Sequence, residues 1–187
     1  MYKSVFFILT TMYLFYFGLH IIPVNEHLIQ SDDKILWSSN RKLKSDDFKG
    51  KSDTTNLMVG AITESGFEII ENHLEREIPK YIIESNFIKS KSWIRIKNNY
   101  VLAHEQLHFD ISELFARKIR KSFDSLNIKK VKDYEVYNKI YFDYGKKYNN
   151  FQDIYDYEVY FDSIKQKRWI KKIAVELNKL KRYEYIK

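Results

Sequence analysis

At Asn98–Asn99 the hydrophobic pattern of this 187-residue chain changes its period. Upstream, apolar residues come in short runs divided by turn residues. Leu57–Thr63 and Phe67–Ile70 flank Glu64–Ser65–Gly66, which predicts one hairpin. Lys80–Ile88 and Ser92–Lys97 flank Lys89–Ser90–Lys91, which predicts a second, its last strand carrying Trp93, Ile94 and Ile96. Downstream the spacing is helical: Tyr100–Phe123, then a Tyr-rich segment Val131–Lys147 ending near Gly145, then a long final helix Gln152–Leu180. Strands first and helices after argue for an α+β domain: a small, mainly antiparallel sheet followed by helices. No internal repeat is visible.

The N-terminus reads differently. Lys3 is the sole charged side chain among the first 25 residues, and Ser4–Val24 is an apolar run. A short positive start followed by such a run reads as an export element over residues 1–24. Its length approaches the ~20 residues that span a bilayer, and no A-x-A site follows. A cleaved signal peptide and an uncleaved signal-anchor both fit. Either predicts a secreted or cell-envelope protein, tied to the membrane through this segment if it is retained. Polar residues 25–34 read as a linker, leaving 35–187 as a single domain. That length suffices for a real core, and 15 Tyr, 13 Phe and 3 Trp predict that large rings build it.

The chain has no cysteine. This excludes disulfides, thiolate metal ligands and a catalytic thiol. The net charge is +7, but the lysines are spread out and mixed with acids, as in Lys129–Lys130–Val131–Lys132–Asp133. No nucleic-acid-binding pattern is visible, so a solvated basic surface, with no nucleic-acid partner, is the expectation.

The chemistry concentrates in Ala103–His104–Glu105–Gln106–Leu107–His108–Phe109–Asp110, which contains H-E-x-x-H. His104 and His108 lie one helical turn apart on one face, where two imidazoles can reach a single ion. Glu105 flanks that face, placed to take a proton without being a ligand. With 5 His and 13 Glu in 187 residues, about 0.01 chance matches are expected. The bland alternative is a pair of partly exposed histidines on an amphipathic helix. Ile111, Phe115 and Ile119 continue the histidine face, so that side is expected to be buried. Asp110, Glu113 and Arg117 are expected on the helix surface or in helix–sheet polar contacts, the last two as an i,i+4 pair.

A catalytic zinc usually has three protein ligands and an open fourth position. His20, His27 and His73 all precede the motif, and the extended H-E-x-x-H-x-x-G-x-x-H form is absent. A carboxylate is then expected third. Glu158 is the first candidate, with Asp162 one turn later as an acceptor behind a ligand histidine and Trp169 near the same stripe; Asp156 is the reserve. A solvated helix face explains Glu158 and Asp162 equally well.

The chain resembles a bacterial family described as secreted zinc-dependent proteases, a domain of unknown function carrying H-E-x-x-H. The likeness runs from about Leu36 to Leu180. It rests on Trp37, Leu43 and Asp47–Phe48–Lys49–Gly50, on Phe87 with Ser92–Trp93, and on Leu102–Ile111 with Glu113 and Ala116–Arg117. It continues in Tyr155–Asp156 with Glu158, Gln166 and Trp169. The resemblance implies a zincin-like fold, export, a bound Zn2+ and a metallopeptidase activity on a peptide or protein substrate. In the family pattern Tyr-Asp-x-Glu is followed by a threonine and then a histidine; Val159 and Phe161 stand there in this chain. If that histidine is a ligand, this copy lacks it.

Three function classes follow. The first is an exported zinc-dependent hydrolase, most simply a peptidase, with metal on His104, His108 and Glu158 and Glu105 as base; the strand near Ser92–Lys97 would pair with an extended substrate. The second is a non-catalytic envelope or binding protein on a zincin scaffold with a degenerate metal site. The third, a basic module for lipid or nucleic acid, predicts binding that falls steeply with salt.

Overall fold

The computed structural model describes residues 32–53, 55 and 59–186. The expected export element (residues 1–24) and most of the expected linker lie outside them. The chain from Ser31 to Lys187 packs as one unit. Among the described residues, no helix is long and apolar enough to cross a membrane.

The architecture is α+β. Strands β1 (Lys34–Leu36), β3 (Ser65–Glu75) and β4 (Ile78–Ile88) form an antiparallel sheet in the order β1-β4-β3. Strands β2 (Ala61–Ile62) and β5 (Trp93–Ile94) form a separate antiparallel ribbon. Both predicted hairpin pairings are therefore corrected. Ser65 and Gly66 are already inside β3, opposite Phe87 and Asn86, so they make no turn. The hairpin that does form joins β3 to β4 through Arg76–Glu77, with φ of 50° and 66°. A two-residue turn with both φ positive follows the sheet twist and normally carries Asn or Gly. Arg-Glu sends no such signal, which hid the turn. After β4 the chain leaves the sheet: the Ser92 hydroxyl donates to the Ile88 carbonyl and accepts from the Glu64 amide. Gly50 docks on this bend, where a Cβ would come within 2.8 Å of the Ser92 carbonyl oxygen.

Helix α1 (Asn99–Ile128) starts where the period changes, with the Asn98 side chain accepting from the Val101 amide at 2.8 Å. Such a cap stabilises a helix start by about 1 kcal/mol. Helix α1 crosses β4 and β3, with helices α2 (Tyr134–Val159) and α3 (Ser163–Lys179) against its other sides. It is consequently buried nearly all round. Phe109, Ile111 and Leu114 sit in the main core with Phe87, Trp169 and Ile173. Of the two settings expected for Glu113 and Arg117, the surface is corrected: each is 2% exposed and the pair lies inside the fold. Arg117 Nε donates to Glu113 Oε1 at 2.8 Å, and Arg120 Nη1 does so at 3.0 Å. Asp110 is also drawn inward, accepting from the Trp37 indole and the Gln106 amide at 2.8 Å each.

The predicted break near Gly145 is absent. Helix α2 runs through it, and a Cβ there would meet nothing within 4 Å; glycine in an open helix interior costs only about 1 kcal/mol, within what packing offsets. The break falls at Tyr160–Asp162, where Phe161 has φ 50° and the Asp162 carboxylate accepts from the Ile164 and Lys165 amides. Asp156 and Glu158 thus belong to the end of α2 and not to the final helix. Helices α1 and α2 form an antiparallel pair, tied by Tyr137 to Asn127, Ser122 to Tyr144 and Gln152 to His108. Helix α2 also covers the free edge of β3. The Tyr148 and Tyr141 hydroxyls, two turns apart, donate to the Ser65 and Phe67 carbonyls at 2.7 and 3.1 Å. An otherwise open sheet edge is closed this way.

Candidate metal centre

The antiparallel α1–α2 pairing decides which α2 side chains meet the histidines. Gln152, Tyr155 and Asp156 lie within about one helical turn of one another, so one face presents all three. Opposite stand His104 and His108, with their rings 4.8 Å apart. His104 Nε2 and His108 Nε2 are 3.1 Å from each other. Asp156 Oδ1 lies 3.1 Å from the first and 2.9 Å from the second. Among the described residues these three side chains form the one metal-competent cluster of His and acidic groups.

The triangle, with edges of 2.9–3.1 Å, is somewhat tighter than a coordination face. A tetrahedral ion with ligands at 2.0–2.1 Å separates them by about 3.3–3.4 Å. Asp156 Oδ1 is buried and faces both imidazoles at ion-pair distance. A buried carboxylate oxygen is costly unless a cation answers it, whether a metal ion or an imidazolium.

Gln152 sets the polarity of His108. Its Nε2 donates to the His108 carbonyl at 3.1 Å, so its Oε1 is the end facing His108 Nδ1 at 2.9 Å. That acceptor requires a proton on Nδ1. In the neutral ring, Nε2 then turns its lone pair to the centre of the triangle. Tyr155 fixes the other ring. It stacks on His104 with centroids 4.7 Å apart and 22° between planes, and meets His108 edge-on at 5.0 Å. Burial and the neighbouring Asp156 and Glu105 carboxylates push the Tyr155 hydroxyl well above its ordinary range. It stays protonated and donates to the His104 carbonyl at 3.4 Å.

Without a metal, the site holds a proton. Burial works to lower the His108 pKa, but the Asp156 carboxylate outweighs it, with help from Glu105 and Gln152, and the ring is pushed up to about 9. Burial works to raise Asp156, and the two histidines hold it well below the usual carboxylate range. Glu105 is 4% exposed, and its carbonyl accepts from the Thr63 hydroxyl at 3.5 Å, next to β2. Its charge is close enough to help hold His108 up.

The carboxylate brought to the imidazoles is Asp156, the reserve candidate, and not Glu158. Glu158 Oε2 is turned away, accepting from the Trp169 indole at 2.8 Å. Asp162 caps α3 and does not back a histidine; the acceptor behind His108 is Gln152, which sequence reasoning missed. Its sole signal was the i,i+4 spacing to Asp156, readable only with the helix phase in hand.

Comparisons with protein-family models, with curated proteins and with solved structures each find no match.

Proposed function

We propose that this chain is an exported zinc-dependent hydrolase of the H-E-x-x-H type, most simply a peptidase on a zincin-like domain. The observation that carries the reading is the convergence of three electron-pair donors, His104 Nε2, His108 Nε2 and Asp156 Oδ1, at 2.9–3.1 Å. Two imidazoles and one carboxylate suit zinc and leave its fourth position open. When bound, the ion supplies Lewis acidity toward a substrate carbonyl.

The chain's own groups do the rest. Glu105 takes a proton from the attacking water and returns it to the departing amine. Its burial limits competing solvent. Gln152 and Tyr155 hold the imidazoles in one orientation, so binding requires no side-chain search. The β2–β5 ribbon lies beside this stretch of α1 through Thr63, which supports it as the rail for an extended peptide.

The test is Glu105→Gln in zinc-loaded protein, assayed on unfolded casein. Zinc content should be unchanged while hydrolysis falls about 10²–10⁴-fold. Undiminished hydrolysis would remove Glu105 from this role. A second reading, a binding protein on the same scaffold, is favoured by Phe161, which offers no ligand atom. With its metal site degenerate, it predicts no zinc uptake and no hydrolysis in either protein.

A further inference from the structure

Where α2 meets α3 the chain puts large apolar side chains into solvent. Tyr157 is 84% exposed, Tyr160 57%, Phe161 73% and Ile164 63%. All four fall within eight residues at one bend. The Tyr160 and Phe161 rings meet edge-on at 4.7 Å. Phe161 also has a positive φ of 50°, a conformation that is costly for a bulky residue and persists where the surroundings impose it. Single exposed apolar residues are ordinary; four together on one elbow mark a contact surface.

Helix α3 shows what kind of contact. Its buried stripe is Gln166, Trp169, Ile173 and Leu177. At 100° per residue the opposite stripe is Ile164, Arg168, Lys171 and Val175, and all four are exposed. Lys165 and Lys167 flank it. Glu176 is the sole acid within α3 against six Lys and Arg. The two acids nearest the elbow are engaged locally: Glu158 by the Trp169 indole and Asp162 by the α3 amides. The outward face is therefore aromatic at its start and cationic along its length.

We propose that the α2–α3 elbow and the outward face of α3 dock on an anionic lipid surface. Aromatic rings settle at the headgroup level, and lysines and arginines behind them meet anionic headgroups. Aliphatic Ile164 and Val175 gain from an acyl interior and have no face on which a nucleobase would stack, which favours lipid over nucleic acid. Tyr160 is one helical turn beyond Asp156, so docking sets the metal cluster close to the membrane plane. The contact is separate from the N-terminal apolar run and does not depend on the hydrolase reading.

The absence of cysteine permits a clean probe. An environment-sensitive fluorophore on Ser163→Cys, in the full chain, reports on the elbow regardless of whether the N-terminal run holds the protein to vesicles. A second probe on exposed Asn72→Cys, on β3, is the control. With phosphatidylcholine vesicles containing phosphatidylglycerol, the elbow probe should shift to the blue and be quenched by spin-labelled acyl chains, while the control stays silent. Phe161→Ser with Tyr157→Ser should abolish the shift with the circular dichroism unchanged. Replacing Lys167, Arg168 and Lys171 by Gln should weaken it about 100-fold, at about five-fold per charge. An elbow probe that stays in water on these vesicles overturns the proposal. So does equal insertion at both sites, or a shift produced by a single-stranded oligonucleotide and not by vesicles.

Discussion

Asp156 and Glu158 are two residues apart, which on a helix is 200° of rotation. One carboxylate reaches both imidazoles and the other reaches Trp169. Asp156→Asn, which keeps the shape and removes the charge, should weaken zinc binding by at least the 10–100-fold typical of losing a supporting partner. Glu158→Gln should leave zinc affinity within two-fold and cost about 1 kcal/mol of stability, since one hydrogen bond to a charged acceptor becomes neutral. Chelator competition reads the first and chemical denaturation the second. Gln152→Leu removes the acceptor behind His108 and should lower zinc affinity about 10–100-fold, whereas Gln152→Glu, which keeps an acceptor, should restore it. The metal-free protein should also respond to pH. His108 is raised from 6.5 to about 9, so its contribution is full below pH 6.5 and is lost as the pH rises through 9. Asp156 is lowered from 3.8, so its contribution is present above that value and is lost as the pH falls through its folded pKa. Thermal unfolding of the metal-free chain should therefore show a stability plateau between about pH 4 and 6.5 that Asp156→Asn flattens. A pH profile identical in both proteins would contradict the coupling.

The elements show why some of this was legible in sequence and some was not. The α1 segment announced itself because its evidence is local: Asn98 caps it, the apolar period follows, and His104 and His108 are one turn apart by covalent geometry. The order of strands before helices was equally plain. Pairing was not, because it depends on turns the sequence left unmarked. Arg76–Glu77 carries the β3–β4 hairpin without Asn or Gly, while Ser65–Gly66 imitates a turn and lies in a strand. Gly145 imitates a helix end and lies inside α2, and Asp162–Ser163 is an N-cap signal where the sequence reading places an acceptor behind a ligand histidine. Choosing Asp156 over Glu158 required the rotation of α2 against α1, which no single-helix pattern contains. One prediction belongs here. Arg76→Asn with Glu77→Gly supplies residues that tolerate positive φ, and should raise the melting temperature by roughly 2–4 °C. A fall would mean that these two side chains contribute more than their backbone costs.

At the scale of the molecule, α1 is a buried axle, and its charged residues tie the C-terminal tail to it. Arg117 Nη1 donates to the Leu177 carbonyl at 2.8 Å, and Arg117 Nη2 is 2.9 Å from Glu184 Oε2. Arg120 Nη1 reaches the Tyr183 carbonyl, and its Nε the Ile83 carbonyl. The Arg117 guanidinium also lies over the Trp37 ring at 5.0 Å. Glu113 balances both arginines from the middle. Glu113→Ala would leave buried Arg117 and half-buried Arg120 short of an anion and should cost about 3–5 kcal/mol. Glu113→Leu with Arg117→Met should cost clearly less, because an apolar pair replaces an ionic one. Urea denaturation of the two proteins makes the comparison; equal losses would show that the tail does not depend on this charge balance.

All chemistry assigned to the chain presupposes that α1 and α2 together close on one metal ion. The direct measurement is an equilibrium zinc titration of the full chain against a chromophoric chelator, for the wild type, His108→Ala and Asp156→Asn. One zinc per chain is expected in the wild type, with an affinity loss of at least 10–100-fold in either variant. No zinc uptake by the wild type, or uptake that both variants leave unchanged, would contradict it.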